Sequence, residues 1–132
     1  MRYLLDTCAL IWFFEGSEQI APSLQDTLTD PLNDILVSDV SVLEVVIKHQ
    51  LGKLWLPLAP SRLIPSLVRK HGMEPLALDT AAIFQLERLP PLHRDPFDRL
   101  LIAQAQVHNL TLVTPDPLIR QYMVPCLWTE KQ

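Results

Sequence analysis

Short apolar runs recur along the chain and are separated by acidic, polar or proline-containing stretches. A run that is apolar throughout indicates a strand buried on both faces, as in a parallel sheet. On this basis we predict strands at residues 3–5, 34–37, 73–78, 110–114 and 124–128. We expect the last of these strands at an edge of the sheet, because Pro125 lacks the N–H that a central strand donates to its neighbour.

Helical spacing of apolar residues fills the intervals between these strands. The predicted helices cover residues 8–15 (closed by Gly16), 17–29, 40–51 (closed by Gly52), 61–70, 80–89 and a segment that follows Asp95. The alternation predicts an α/β fold, a central and mostly parallel sheet with helices on both faces. The length suits one domain over residues 1–132.

Composition narrows the class of protein. Hydrophobic residues make up 48% of the chain and charged residues only 20%, which predicts a surface partly covered by a partner. The net charge of -4 excludes binding to nucleic acid by bulk charge, so any such contact must be local. Cys8 and Cys126 form no CxxC motif and the histidines lack zinc-type spacing, which predicts reduced thiols and no zinc. Asp6 interrupts the first apolar stretch and no run is long enough for a membrane helix, so we expect a cytoplasmic protein.

Three adjacent aromatic residues, Trp12, Phe13 and Phe14, lie in the first predicted helix. Neighbouring residues fan out over about 200° of a helix, so the three cannot all face one core. Either a second layer of the same chain or a partner must cover some of them. Together with the apolar connector around Trp55, they predict a homodimer with a further partner on its apolar surface.

Acidic residues stand at several predicted element ends. Asp6 and Asp116 follow strands, whereas Glu44 and Asp98 lie in the first turns of helices. In a parallel sheet these positions open toward the same carboxyl edge, where ligands bind. Four carboxylates would repel one another there without a cation, and hard divalent cations prefer carboxylate oxygens. The pattern therefore predicts bound Mg²⁺ or Mn²⁺, with water left free to be activated against a phosphodiester.

Helix capping is the alternative for each of these acids taken singly. Glu44 could close a capping box with Ser41, or could lie inside a helix that Ser38 or Asp39 caps. Ser, Thr or Asn would cap equally well, so an acid at all four positions favours the metal site. We assign Asp39, Asp79 and Asp95 to capping, with Pro96 at the first helical position after Asp95.

Four ordered segments resemble motifs of the PIN-domain ribonucleases, and among them the VapC-like toxins of bacterial toxin–antitoxin pairs. The segments are LDTCAL at 5–10, SxxSxxExxxKxxxGKL at 38–54, DPFDRLLIA at 95–103 and LVTPD at 112–116. The departures are Cys8, where Ser or His is common, and Leu43, where Trp often stands.

This resemblance carries expectations for the whole chain. It implies a PIN-like three-layer sandwich and Mg²⁺-dependent cleavage of RNA. It also implies a homodimer, and inhibition by a cognate antitoxin peptide that enters the site. By position, the implied catalytic set is Asp6, Glu44, Asp98 and Asp116, with Asp6, Asp98 and Asp116 on the metal and Thr7 and Thr114 as hydroxyl helpers.

Basic residues near the motifs offer a local route to RNA. They are Lys48, Lys53, Arg94 and Arg99. Arg99 could bind phosphate, pair with the acids or make a helix contact.

Rival functions remain at this point. An aspartate-nucleophile phosphatase would need a second acid at the position of Cys8, and a receiver domain would need an adjacent acidic pair near the N-terminus. The rival of a different class is a non-catalytic protein-interaction module whose acids are only caps.

Overall fold

A five-stranded parallel sheet organises the protein, seen in a computed structural model that describes residues 1–130. Its strands are β1 (Arg2–Leu5), β2 (Asp34–Ser38), β3 (Glu74–Leu76), β4 (Thr111–Val113) and β5 (Cys126–Leu127). They lie in the order β3-β2-β1-β4-β5, and every neighbouring pair is parallel. The chain builds outward from β1 to one side and then returns to the other, so the strand order reverses between β1 and β4. Ligand crevices of open α/β sheets lie at such a reversal.

Six α-helices and two 3₁₀ turns connect these strands in the described part of the chain. The helices are α1 (Thr7–Glu15), α2 (Pro22–Thr29), α3 (Asp39–Gln50), α4 (Pro60–Lys70), α5 (Thr80–Gln85) and α6 (Pro96–His108), and the turns are Leu86–Arg88 and Ile119–Gln121. None of the helices within residues 1–130 has the length and apolar character needed to cross a membrane.

Two apolar cores cover the two faces of the sheet, because alternate residues of each strand point to opposite sides. Leu4, Leu36 and Leu112 point to the core that includes residues of α5 and α6. Leu5 and Val113 point to the other core, with residues of α1 and α2. The predicted three-layer α/β architecture is therefore confirmed.

Several predicted boundaries are wrong, although the elements exist. The helix predicted over residues 17–29 begins only at Pro22, after an extended Ala21, because residues 17–20 form a turn in which the Ile20 N–H donates to the Ser17 carbonyl. The strand predicted over 73–78 is only Glu74–Leu76. The helix predicted over 80–89 ends as α helix at Gln85 and continues as a 3₁₀ turn. At Gly16 the prediction holds, since its φ of 65° permits the left-handed cap that ends α1.

The chain itself buries one of the three adjacent aromatic residues of α1 and partly covers the other two. Phe13 is buried in the core, and Trp12 packs against Trp128 with ring centroids 5.9 Å apart. Phe14 stacks on His71 at 6.2 Å. A second layer of the same chain therefore covers Phe13, whereas Trp12 and Phe14 remain half-buried and each lines a cavity. Trp55, in contrast, is 80% exposed.

Candidate active site

One cavity of about 300 Å³ lies at the carboxyl edge of the sheet, where the strand order reverses. Its lining contains all four acids singled out in the sequence: Asp6, Glu44, Asp98 and Asp116. Asp95, Lys48 and Cys8 also line it. The segments that carry these residues are far apart in the chain, and the parallel pairing of β1 with β2 and β4 brings them together.

Asp6 is both a helix cap and a cavity residue. Its N–H donates to the Val113 carbonyl at 3.0 Å, which continues the β1–β4 ladder, and its Oδ1 accepts from the Ala9 N–H at 2.7 Å. The side chain is buried. Burial raises the pKa of Asp6 to about 6, against the lowering effect of hydrogen bonds from Thr114 and Ala9.

Glu44 lies inside α3 and not in a capping box. Ser38 caps the helix, its Oγ accepting from the Val40 N–H at 3.0 Å, so the capping-box alternative for Glu44 is excluded. Lys48 Nζ lies 2.8 Å from Glu44 Oε2. Glu44 Oε1 is buried without a hydrogen-bond partner among residues 1–130. An unsatisfied buried oxygen costs roughly 1–3 kcal/mol or more when charged, so this atom marks a place for a cation or water.

Asp95 and Asp98 differ in their local contacts. Asp95 Oδ1 accepts from the N–H groups of Phe97 at 2.8 Å and Asp98 at 3.4 Å, which is the predicted N-cap of α6. Asp98 lies in the first turn with its side chain in the cavity. Burial first, and then the charges of Asp95 and Asp6, raise the pKa of Asp98 to about 7. Repulsion between acids was expected to raise these pKa values, but burial is the larger cause.

Asp116 begins the turn that follows β4. Its N–H donates to Thr114 Oγ1 at 3.1 Å, and its Oδ1 accepts from the Leu118 N–H at 2.8 Å. The other oxygen, Oδ2, lies 3.0 Å from His93 Nε2. Asp116 therefore uses one oxygen for local structure and turns the other to His93.

His93 is the residue of this site that the sequence analysis missed. Its Nε2 lies 3.0 Å from Asp98 Oδ2 and 3.0 Å from Asp116 Oδ2. One ligand atom from each of these three residues lies within 4.8 Å of the others, a geometry that could hold a metal ion. The histidines were tested only for zinc-type spacing. The available signal was the position of His93 just before the Asp95-Pro96-Phe97-Asp98 motif.

The three supporting residues make mainly structural contacts. Thr7 Oγ1 donates to Ser41 Oγ at 3.0 Å and so joins α1 to α3. Thr114 hydrogen-bonds with Asp6 and Asp116. Arg99 Nη1 donates to the Pro90 carbonyl at 3.0 Å and lies 3.2 Å from the Tyr122 hydroxyl, and neither partner is an acid or lies in a helix.

One of the assigned caps is wrong, since Asp39 is the first residue of α3 and Ser38 caps that helix. Asp79 occupies the predicted N-cap position of α5, and its Oδ1 lies 3.0 Å from His108 Nε2. The short side chains of Ser38 and Asp39 are both suited to capping, so the sequence alone did not decide between them.

The donor set of the cavity fits a hard divalent cation. Most polar atoms of the lining are carboxylate oxygens, and one of them, Glu44 Oε1, has no hydrogen-bond partner within residues 1–130. Among the described residues of the lining, Lys48 is the only basic side chain of the Lys or Arg type. Cys8 adds no thiolate, since burial raises the pKa of its thiol to about 12. Asp98 and Asp116 would hold such a cation, with Asp6 and Glu44 beside them.

A parallel α/β sheet with an acidic cavity at its carboxyl edge defines the class of this protein. The chain belongs to the PIN domain family, whose family model matches residues 3–123. A comparison with curated protein sequences finds no match.

Solved structures of toxin–antitoxin complexes share the fold. DNA-bound VapBC2 from Rickettsia felis is 16% identical with a TM-score of 0.73, over 98% of this chain and 100% of that chain. DNA-bound VapBC from Salmonella typhimurium is 16% identical with a TM-score of 0.66, over 96% and 97%. A toxin–antitoxin complex from Klebsiella pneumoniae is 19% identical with a TM-score of 0.65, over 98% and 99%.

Proposed function

We propose that the protein is a Mg²⁺- or Mn²⁺-dependent endoribonuclease and acts as the toxin of a toxin–antitoxin pair. The observation that carries the proposal is the convergence of Asp6, Glu44, Asp98 and Asp116 on one cavity. Capping accounts for only one oxygen of Asp6 and of Asp116, and it accounts for neither oxygen of Glu44. Membership of the PIN domain family supports the same chemistry.

Each polar residue of the cavity would have a separate role in this reaction. A divalent cation, when bound, supplies activation of water and neutralisation of charge on a phosphodiester. Asp98 and Asp116 would hold it, and Asp6 would complete its acidic surroundings. Lys48 holds Glu44 by an ion pair, which leaves Glu44 Oε1 to orient water or accept a proton. Ser41 and Thr7 fix the position of α3 relative to α1, and therefore the position of Glu44.

RNA would reach the cavity through local basic groups. Lys48 lines the cavity, and Lys53 and Arg94 are exposed. These side chains could bind phosphates on either side of the cleaved bond. The acidic total charge of the chain disfavours tight non-specific binding, so cleavage would depend on local fit.

The antitoxin would cover an apolar groove next to the acidic cavity. The groove has a volume of about 400 Å³ and is lined mainly by residues of α1, α4 and the Trp55 connector. Ile11 lines both the groove and the cavity, so a segment lying in the groove is led toward the acids. The similar structures from Rickettsia felis and Salmonella typhimurium are VapBC complexes, which supports a peptide partner here.

The test is cleavage of a structured, end-labelled RNA by the full chain with Mg²⁺, with excess EDTA, and by an Asp98→Asn variant. We expect metal-dependent cleavage with 5′-phosphate and 3′-hydroxyl ends, lost in EDTA and in the variant. Products with 2′,3′-cyclic phosphate, or full activity in EDTA, would mean that the RNA hydroxyl attacks without metal. An absence of cleavage together with peptide binding in the groove would favour the non-catalytic interaction module.

A further inference from the structure

His93 lies between the two carboxylates best suited to hold a cation. Its Nε2 is 3.0 Å from one oxygen of Asp98 and 3.0 Å from one oxygen of Asp116. The side chain is only 11% exposed, so it is built into the site and does not rest on its surface. In the described structure this ring nitrogen therefore contacts both oxygens that would face a metal ion.

The hydrogen bond at the other ring nitrogen fixes the tautomer. The Asp95 N–H donates to His93 Nδ1 at 3.2 Å, so Nδ1 is an acceptor and carries no proton. In a neutral imidazole the proton must then be on Nε2, which becomes a donor to the two carboxylates. A histidine that binds metal has the opposite arrangement, since its second nitrogen donates to an acceptor and leaves the first free to coordinate.

The loop that carries His93 is held in place from its backbone. The His93 N–H donates to the Tyr122 hydroxyl at 2.8 Å, and that hydroxyl donates to the Pro90 carbonyl at 2.9 Å. Arg99 Nη1 donates to the same carbonyl at 3.0 Å. These bonds keep the imidazole close to the acids, so that only rotation of the side chain can remove it.

We infer that His93 is an internal competitor of the divalent cation, its Nε2–H occupying the cation position between Asp98 and Asp116. The inference rests on the proposed function only in taking these two acids as metal ligands. A cation that binds both oxygens must displace the Nε2–H from them. The free energy of these charge-assisted hydrogen bonds is then subtracted from the free energy of metal binding. The site would thus bind metal more weakly than its carboxylates alone would.

The experiment measures Mn²⁺ affinity of the metal-free full chain by titration with electron paramagnetic resonance detection. His93→Ala removes the competitor, and His93→Phe keeps a ring without a donor. His108→Ala is the matched control, because it removes another histidine that lies 3.0 Å from an aspartate oxygen, outside the cavity. We expect His93→Ala and His93→Phe to bind Mn²⁺ about tenfold more tightly than the unchanged chain, and His108→Ala to bind equally well.

Unchanged Mn²⁺ binding in the two His93 variants would overturn the inference. Weaker Mn²⁺ binding would also overturn it, because it would make His93 a metal ligand. A second measurement needs no variant. Nitrogen-15 spectra of the His93 ring during Mg²⁺ titration should show Nε2 protonated before and after metal binds, with its hydrogen bonds to the acids lost. A deprotonated Nε2 in the metal-bound form would also overturn the inference.

RNA cleavage is assayed separately, so the two proposals can fail separately. Tighter Mn²⁺ binding by the variants without any cleavage by the unchanged chain would support the competitor and refute the nuclease. Metal-dependent cleavage with unchanged Mn²⁺ affinity in the variants would support the nuclease and refute the competitor.

Discussion

A carboxylate has two oxygens, and the acids of this cavity use them separately. Oδ1 of Asp6 accepts from the Ala9 N–H, and Oδ1 of Asp116 accepts from the Leu118 N–H. In Asp116 the second oxygen contacts His93. Capping and metal binding, which the sequence presented as alternatives, are therefore compatible in one residue. Local hydrogen bonds orient the side chain, and its remaining oxygen is left for chemistry.

Asparagine substitutions at Asp95 and Asp98 separate these two roles. Asp95→Asn should keep its cap bond to the Phe97 N–H and remain active, because Asn caps as well as Asp. Asp98→Asn removes a buried charge, so the metal-free protein should be no less stable while cleavage falls by orders of magnitude. The measurement pairs the melting temperature without metal with the cleavage rate in saturating Mg²⁺. An inactive Asp95→Asn beside an active Asp98→Asn would refute the assignment of Asp98 to the metal. Full activity in both variants would show that neither acid is needed for cleavage.

The raised pKa values predict how stability changes with pH in the absence of metal. The pKa of Asp6 is about 6 and that of Asp98 about 7 in the folded protein, both above the ordinary value of 3.8. Between about pH 4 and 7 the folded state therefore binds more protons than the unfolded state, and the free energy of unfolding falls as pH rises. For Asp6 the effect is on the order of 3 kcal/mol at most, since one pKa unit corresponds to about 1.4 kcal/mol.

Urea denaturation in EDTA at pH 5 and pH 8 measures this effect. The free energy of unfolding of Asp98→Asn should fall less between pH 5 and pH 8 than that of the unchanged chain, because the amide does not ionise. Saturating Mg²⁺ should remove most of this pH dependence of the free energy of unfolding, because metal binding favours the ionised carboxylates of the folded state. A free energy of unfolding that rises from pH 5 to pH 8 in EDTA would contradict the prediction.

At the scale of elements, a buried polar contact joins α3, α6 and the segment after β3. Ser38 Oγ, which caps α3, donates to Gln104 Oε1 of α6. Gln104 Nε2 donates to the Ala77 carbonyl at 3.1 Å. Both Ser38 and Gln104 are fully buried. Since α3 carries Glu44 and α6 carries Asp98, this contact sets the distance between two acids of the cavity.

Gln104→Leu should destabilise the protein by about 1–3 kcal/mol, because it leaves the buried Ser38 O–H without an acceptor. Gln25→Leu is the matched control, since Gln25 is exposed on α2 and both residues are good helix formers. Urea denaturation should place the control within about 0.5 kcal/mol of the unchanged chain. A loss equally small in Gln104→Leu would show that the contact is not stabilising.

The elements themselves could largely be predicted from the sequence. Continuous apolar runs gave the strands, and Pro96 and Gly16 marked helix ends by local chemistry. The start of α2 could not be read in this way, since Ile20 has helical spacing with Leu24 and Leu28 although it lies in a turn. For His93 the sequence offers only its position just before the Asp95 motif, because its role depends on contacts with residues of α6 and the turn after β4. Contacts made only in the folded chain leave no local pattern.

At the scale of the whole molecule, exposed apolar residues remain on the α5 side. Phe84 is 65% exposed and Met123 is 93% exposed. Hydrogen bonds from Gln85 to Gln106, and from Gln106 to the Met123 carbonyl, place these two residues on one region of surface. Since Phe13 is buried, and Trp12 and Phe14 are half-buried beside the two cavities, this α5 surface is the better candidate for the predicted homodimer interface.

Phe84→Glu should therefore weaken a homodimer at least about tenfold, by placing a charge in a buried apolar contact. Leu32→Glu is the control, because Leu32 is 86% exposed in the turn between α2 and β2. Light scattering at tens of micromolar should give a dimer for the unchanged chain and the control, and more monomer for Phe84→Glu. A specific interface should bury more than roughly 1,000 Å² in total. A monomer in all three samples would refute the homodimer.

The adjacency of β1 and β4 also determines when the cavity can exist during synthesis. Leu5 pairs with Val113, so Asp6 and Asp116 become neighbours only when those two strands have met. A nascent chain still short of residue 116 on the ribosome has the first acid but lacks the last. Parallel pairing over such a separation in sequence is slow, because the intervening loop must close before the contacts form. The acid cluster is therefore completed late, and chains that end before residue 116 lack its last member.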